Sequence, residues 1–359
     1  MTDDKIKTAI SRIGAREDWR QAFITHLVNY EYAISSVGID VREEITGPLV
    51  DALFHDNQIV RKTLSNGVIF DFLYRSKIAR DFVMSIPEHP NHAWRPQTSR
   101  ILINLAKFAR QVVIGGAYFG DHAILIAREI EAAGGMVHAF EPNNEQRAML
   151  DHNARLNALT NIISRPEGLW HNSTTNLKLS GYDSFATAKS VDEGADTFKT
   201  VTISDYLESI KIDHLDLIAL VVEGAELSAL QGAERFLAQP SGHAPNIIFA
   251  VHSNYVDWTK GLLRTPIAQL LIQHNYTIYG LRDFNSNFDL SDTPIELIPL
   301  ESIYLEGPPH GFNMVAVKDP AILEGADYLL VNGVSPKYLR HKNPALHHPV
   351  DGLQRLSIL

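Results

Sequence analysis

Cysteine is absent from the 359 residues, which excludes disulfides, thiolate nucleophiles and cysteine-based metal sites. No apolar run approaches the roughly 20 residues that a membrane-spanning helix needs, so no membrane partner is expected. The opening Met-Thr-Asp-Asp-Lys lacks the basic-then-apolar pattern of a secretion signal, and a cytoplasmic address is the expectation. Dense Lys/Arg runs are missing as well. The formal net charge of −10 would repel a phosphate backbone, so nucleic acid is not expected as a partner. The 16 histidines show no metal-ligand spacing, and no metal site is expected; His347 and His348 sit in a polar tail and read as solvated. What remains is a soluble globular profile, 45% hydrophobic and 21% charged.

Residues 1 to about 60 read as helical, with Trp19, Phe23, Leu27, Tyr30 and Ala33 recurring at helical spacing. Asn66-Gly67 between two β-favouring runs predicts a hairpin closed by a type I′ turn. A helix over 98–109 then leads into alternating elements: strands near 111–114, 136–140, 215–222 and 246–251, and helices near 124–133, 144–157 and 226–237. Val201 is expected to end an edge strand that runs into a short helix. Two more strands, 276–279 and 312–317, flank a long polar connection. Strands apolar throughout belong in a sheet covered on both faces, and alternation with helices implies parallel order. The expected fold is therefore α/β: a Rossmann-like, doubly wound, mostly parallel sheet with a C-terminal antiparallel strand and an N-terminal helical and hairpin extension. The expected division is an accessory region 1–95, a core domain 96–319 and a tail 320–359 wrapping the surface. Residues 1–95 are the expected surface for pairing two copies.

The segment Val112-Val-Ile-Gly-Gly-Ala-Tyr-Phe-Gly-Asp-His122 sets three glycines between a strand and a helix. Such a turn lets backbone approach a ligand and points helix N-terminal N–H groups at its polar end. Gly115, Gly116, Ala117, Tyr118, Gly120 and Asp121 are accordingly candidate cofactor contacts. The next strand closes with Phe140-Glu141-Pro142-Asn143, and an acidic residue there suits the hydroxyls of a ribose. Gly115, Ala117 and Gly120 nearly match a dinucleotide fingerprint too, so the loop alone leaves a nicotinamide cofactor open.

Further motifs separate these readings: Phe140-Glu-Pro-Asn143, Asn153-Ala-Arg-Leu-Asn157, Val201-Thr-Ile-Ser-Asp-Tyr-Leu207 and Asp216-Leu-Ile-Ala-Leu-Val-Val-Glu-Gly-Ala-Glu-Leu227, followed by Gly232-Ala233. In this order and spacing the sequence resembles the FkbM-type family of S-adenosylmethionine-dependent methyltransferases over about residues 98–319. The resemblance implies S-adenosyl-L-methionine as cofactor and O-methylation of a hydroxyl on a small polar metabolite or sugar-like acceptor. It also shows three departures. Ile114, Val221 and Ala250 stand where the family carries carboxylates around the methionine end of the cofactor. Asp121, Glu223 and Glu226 are the nearest acidic groups available to replace them, the alternative being a catalytically silent binding protein.

A hydroxyl acceptor benefits from a general base beyond the carboxyl ends of the strands. His252, directly after a strand, fits that place, and a histidine's ordinary pKa near 6.5 suits the task. His122, just past the loop, is a second candidate. Glu223 is placed to orient acceptor or cofactor, while Glu226 reads as a carboxylate capping the following helix.

Overall fold

Along the central strands successive apolar side chains leave the sheet in opposite directions and feed two cores. Val112, Ile114, Val137, Ala139, Leu217 and Ala219 enter one; Val113, Phe140, Ile218, Leu220, Ile247 and Phe249 enter the other. A sheet apolar on both faces needs helices on both, and the chain supplies them in alternation.

The computed structural model describes residues 2–33, 40–55, 57–181, 187–191, 194, 197–284, 286–305 and 311–338. The chain opens with helices Thr2–Gly14 (α1) and Glu17–Ala33 (α2), a π-helical turn at Arg42–Thr46 and the short helix Gly47–Asp51 (α3). A hairpin follows, Ile59–Thr63 (β1) and Ile69–Leu73 (β2), then Lys77–Val83 (α4) and Pro96–Ala106 (α5). Next come Gln111–Gly115 (β3), Ala123–Ile130 (α6), Met136–Phe140 (β4), Asn144–Leu156 (α7) and Ile162–Arg165 (β5). Four short strands, Gly168–Leu169 (β6), Asn176–Ser180 (β7), Thr187–Val191 (β8) and Thr197–Val201 (β9), precede Ile203–Ser209 (α8). The remainder is Leu217–Leu220 (β10), Glu226–Gln231 (α9), Glu234–Leu237 (α10), Asn246–His252 (β11), Pro266–Gln273 (α11) and Thr277–Phe284 (β12). Ile295–Pro299 (β13), Gly311–Val317 (β14), Tyr328–Leu330 (β15) and Lys337–Tyr338 (β16) complete it.

The main sheet runs β15-β13-β12-β14-β11-β10-β3-β4-β5, with β16 beside β12. From β11 to β5 all neighbours are parallel, and β14 inserts antiparallel between β11 and β12. This is the expected α/β architecture. Four details differ from the sequence reading. Val201 ends β9, which lies between β6 and β7 in a separate four-stranded sheet and is not an edge. The polar connection between β12 and β14 contains the buried strand β13, antiparallel to β12. Residues expected to wrap the surface instead supply β15 and β16, and Lys337 is buried; the tail beyond residue 338, with His347 and His348, lies outside the described residues. The hairpin turn is the fourth difference. Leu64 N donates to the Val68 carbonyl and Gly67 N to the Leu64 carbonyl, and of the turn residues Gly67 alone has positive φ, +83°. That is a three-residue loop ending in a left-handed glycine, in place of the two-residue type I′ turn.

The hairpin is held against α7 by two asparagines one helical turn apart. Ile69 and Asp71 turn their peptide groups away from β1, and the Asn153 and Asn157 carboxamides pair with them as another strand would. Asp71 N donates to Asn153 Oδ1 and Asn153 Nδ2 to the Asp71 carbonyl, both 2.9 Å; Ile69 N donates to Asn157 Oδ1 at 2.8 Å and Asn157 Nδ2 to the Ile69 carbonyl at 2.7 Å. Asn153 Nδ2 also donates to the Phe119 carbonyl of the glycine loop at 2.9 Å. Beneath this clasp Phe70 and Phe72 pack on Phe119 and Phe82, so hairpin, loop and α4 share one core. The same buried cluster runs from Ile10 to Leu323.

Asn153→Ala would strand the buried Asp71 peptide and one hydrogen bond of the Phe119 carbonyl, and should cost about 2 to 4 kcal/mol in urea unfolding. Asn157→Ala, in a half-buried place, should cost about 1 kcal/mol. A loss below 1 kcal/mol for Asn153→Ala would show that the clasp carries no stability.

Candidate active site

The cavity of interest opens at the carboxyl edge of β4, β3 and β10. Its floor is the turn after β3. Gly116 has φ +74°, and a Cβ there would come within 2.0 Å of the Val221 carbonyl, so only glycine lets the loop pass so close to the end of β10. Gly116 N and Ala117 N both donate to the Phe140 carbonyl, at 3.0 and 3.1 Å, which ties the loop to β4. Tyr118 is held at φ +49°, uncommon for a residue with a side chain. Its N–H donates to Glu141 Oε2 at 2.9 Å, while Glu141 Oε1 accepts from Asn143 N at 2.9 Å. Glu141 is therefore aimed by backbone on both sides. Asn143 caps α7 by accepting from Glu145 N and Gln146 N.

The end of β10 forms a second tight turn, with Glu223 at φ +48° and Gly224 at φ +103°. Glu226 closes it: Oε1 accepts from Val222 N at 3.0 Å and Oε2 from Gly224 N at 2.9 Å. The buried Glu226 carboxyl is thus a structural clamp. Burial pushes it up to about 7, against the pull of backbone hydrogen bonds from its own N–H, Val222 and Gly224. Glu223, by contrast, faces the cavity. Burial raises its pKa, with Arg95 opposing the shift.

Of the expected cofactor contacts, Gly115, Gly116, Ala117, Tyr118, Asp121, Glu141, Pro142, Asn143 and Glu223 line the cavity, as does His122. Gly120 lies behind the loop, where a Cβ would meet Leu150 Cδ1 at 2.7 Å. His252 is not brought to the cavity wall. Its Nδ1 accepts from Asn254 N at 3.0 Å and its ring stands 5.6 Å from Tyr255. Ile114 and Val221 line the cavity; Ala250 pairs with Asn313 in the sheet and does not. His122 Nδ1 lies 3.5 Å from Asp121 Oδ2 and makes no hydrogen bond within the protein.

Sequence reasoning missed Arg95, Thr98 and Lys77, which also line the cavity, and the apolar wall that Leu177 and Phe198 contribute from the small sheet. Arg95 precedes Pro96 at the start of α5 in a left-handed conformation, φ 50° and ψ 85°. A cation at a helix N-terminus opposes the helix dipole. The Trp94-Arg95-Pro96 string ahead of an apolar helix was the available signal, since Pro marks a first helical turn. Among the described residues no group of three or more His, Asp or Glu side chains is placed to hold a metal ion, and no helix is long and apolar enough to cross a membrane.

A parallel sheet with a glycine turn after its first central strand and an acidic residue ending the second defines a nucleotide-type cofactor fold. Residues 115–276 match the Methyltransferase FkbM domain family. Among solved structures, the chain is similar to the methyltransferase FkbM from Methylobacillus flagellatus KT, with 20% identity and a TM-score of 0.31, covering 48% of this chain and 40% of that one. It is also similar to an O-methyltransferase from Bacillus cereus in complex with SAH, at 14% identity and TM-score 0.32, covering 62% and 80%. For a SAM-dependent methyltransferase from Agrobacterium tumefaciens the values are 10%, 0.38, 73% and 70%. No curated protein matches the chain.

Because the Glu226 carboxyl is raised to about 7 in the folded protein, the folded state keeps a proton that the unfolded chain releases near 4.5. Its contribution to stability is complete below that lower value and is lost as pH rises through 7. Glu226→Gln removes the effect. The stability of the natural protein relative to this variant should fall by about 2 to 3 kcal/mol between pH 4.5 and 8, read from urea midpoints; parallel pH profiles would refute the assignment.

Proposed function

We propose that the protein is an S-adenosylmethionine-dependent methyltransferase that methylates a hydroxyl of a small polar or sugar-like acceptor. The carrying observation is a single cavity lined by Glu141, Asp121 and Glu223 together with the Gly115–Tyr118 turn. Glu141 and Glu223 follow β4 and β10, strands on either side of β3, and so stand about two strand spacings, roughly 10 Å, apart along the edge. The residues fit the cofactor. Glu141 accepts from Tyr118 N on one oxygen and from Asn143 N on the other, and a carboxylate so placed at the end of the second strand suits a ribose hydroxyl. Asp121 and Glu223 offer negative charge to the sulfonium end, where an uncompensated cation would be costly.

When bound, the cofactor supplies a methyl group already activated by its sulfonium. The chain's own part is to hold the acceptor oxygen in line with that methyl and to take its proton. We assign the proton to His122, whose Nδ1 makes no hydrogen bond within the protein and whose side chain borders the cavity. His252 is assigned to shaping the turn that carries Tyr255.

Calorimetric titration with S-adenosylhomocysteine is the direct test. Binding is expected, and Glu141→Ala should weaken it about tenfold or more. No heat and no thermal shift at millimolar ligand would overturn the proposal, and a shift with NAD alone would replace it with an oxidoreductase.

The base assignment is checked by methyl transfer from labelled cofactor into a pooled extract of polar metabolites. His122→Ala should lower the rate by about 10² to 10⁴ while S-adenosylhomocysteine binding stays within a few-fold. His252→Ala should keep the rate. The reverse pattern would move the base to the end of β11.

A further inference from the structure

Arg95 is an expensive residue to keep where it is. Its backbone is left-handed immediately before a proline, a position normally confined to extended conformations. Its half-buried charge sits at the amino end of α5, where the helix dipole is unfavourable and desolvation opposes ionisation. The surrounding structure nevertheless holds it firmly. Arg95 N donates to the Ser286 carbonyl at 3.2 Å, and Nη1 donates to Asn313 Oδ1 at 2.5 Å. Asn313 Nδ2 in turn donates to Thr98 Oγ1, and Thr98 Oγ1 to Asp283 Oδ2. Three elements, α5, β14 and β12, thus aim one guanidinium.

Asp283 is the largest charge compensating Arg95, followed by Glu223, Asp121 and Glu226. Asp283, however, spends its oxygens on Gln97 N, Thr98 N, Thr98 Oγ1 and Phe284 N as the cap of α5. Glu226 is committed to the β10 turn. Of these four acids, Glu223 and Asp121 line the cavity with Arg95. The cavity therefore presents a fixed cation together with two carboxylates that offset its charge. That pattern is the complement of a zwitterion.

We propose that Arg95 and Glu223, with Asp121, clamp the α-amino-acid end of the cofactor, the guanidinium taking its carboxylate and the two acids its ammonium. This rests on the cofactor reading above and deepens it. It explains how the chain dispenses with carboxylates at positions 114, 221 and 250: the charges have moved from the strands to the loops and to α5. A planar guanidinium suits a carboxylate because it can donate two parallel hydrogen bonds.

The test compares three ligands by calorimetry on the full chain: S-adenosylhomocysteine, its decarboxylated aminopropyl thioether, and 5′-methylthioadenosine, which lacks the amino-acid arm. The natural protein should bind S-adenosylhomocysteine at least about tenfold more tightly than the decarboxylated analogue. Arg95→Met should reduce that preference to within about twofold and leave 5′-methylthioadenosine affinity unchanged. With a fourth ligand, deaminated S-adenosylhomocysteine, Glu223→Gln should weaken S-adenosylhomocysteine but not this analogue. Equal affinity of the natural protein for the first two ligands would overturn the clamp while leaving the cofactor reading intact. So would an Arg95→Met protein that melts normally yet loses S-adenosylhomocysteine and 5′-methylthioadenosine alike. Failure of the natural protein to bind any of the three would sink the cofactor reading itself. If Arg95→Met does not fold, the ligand comparison on the natural protein and Glu223→Gln still decide.

Discussion

The carboxamide of Asn153 meets three backbone groups from two distant parts of the chain: the N–H and carbonyl of Asp71 in the hairpin and the carbonyl of Phe119 in the glycine loop. It is fully buried, so none of these groups has water as an alternative partner. The consequence reaches the cavity directly. Tyr118 and Phe119 are adjacent, and Tyr118 N is the donor that orients Glu141. Seating β2 on α7, closing the turn after β3 and aiming the carboxylate after β4 are therefore one problem with one shared solution. A hairpin that merely leaned on the core by apolar contact would leave the loop free to slide along its glycines.

A second constraint is electrostatic and comes from the amino-terminal helices. Arg42 and Glu31, each with 1% of its side chain exposed, pair at 2.9 Å, and Arg42 reaches the buried Asp81 at 3.5 Å. Asp81 also contacts Lys77, whose side chain borders the cavity. Buried ion pairs are weak sources of net stability, but breaking one is costly because the survivor has no solvent. The chain of charges thus fixes where α2, the π-helical turn and α4 stand relative to the site. Lys77 is left as a cation whose charge is opposed by burial, and Asp81 is the first of the acids that offset it.

Much of this was readable from residue order, and what was not has physical reasons. Strands apolar throughout, such as Leu217–Leu220, announce a sheet covered on both faces, and the structure has one. The motifs that carried the family resemblance turn out to be joints. Thr202 caps α8, Glu226 closes the β10 turn, and Gly232 stands between α9 and α10 where a Cβ would meet the Trp170 carbonyl at 2.2 Å. Asn153 and Asn157 show their spacing in sequence but not their partners, which lie more than 80 residues away. Strand β13 escaped notice because its neighbours are polar and its burial depends on β12 and β15 arriving on both sides. His252 met the rule that catalytic groups follow parallel strands. That rule locates an edge of the sheet, and which side chains on the edge face a cavity depends on the turn after each strand. Arg95 carried only the local signal of the following Pro96, which marks a helix start; that its side chain borders the cavity depends on how α5 packs on the sheet, which no local pattern encodes.

The apolar residues at positions 114 and 221 then have a consistent physical reading. Ile114 belongs to β3 and Val221 follows β10 directly, beside apolar cavity neighbours such as Leu102 and Ile248. A carboxylate there would need its own donors, and the nearby peptide N–H groups are already spent: Val221 N donates to the Gly115 carbonyl and Gly116 N to the Phe140 carbonyl. Asp121 and Glu223 sit instead on turns that open toward the cavity. A carboxylate on such a turn keeps partial solvation until a ligand arrives, so its cost is smaller than on a dry strand. Arg95 lines the same cavity, and its charge is offset first by Asp283 and then by Glu223 and Asp121. Charge of both signs therefore lines the cavity, which suits a ligand that carries both.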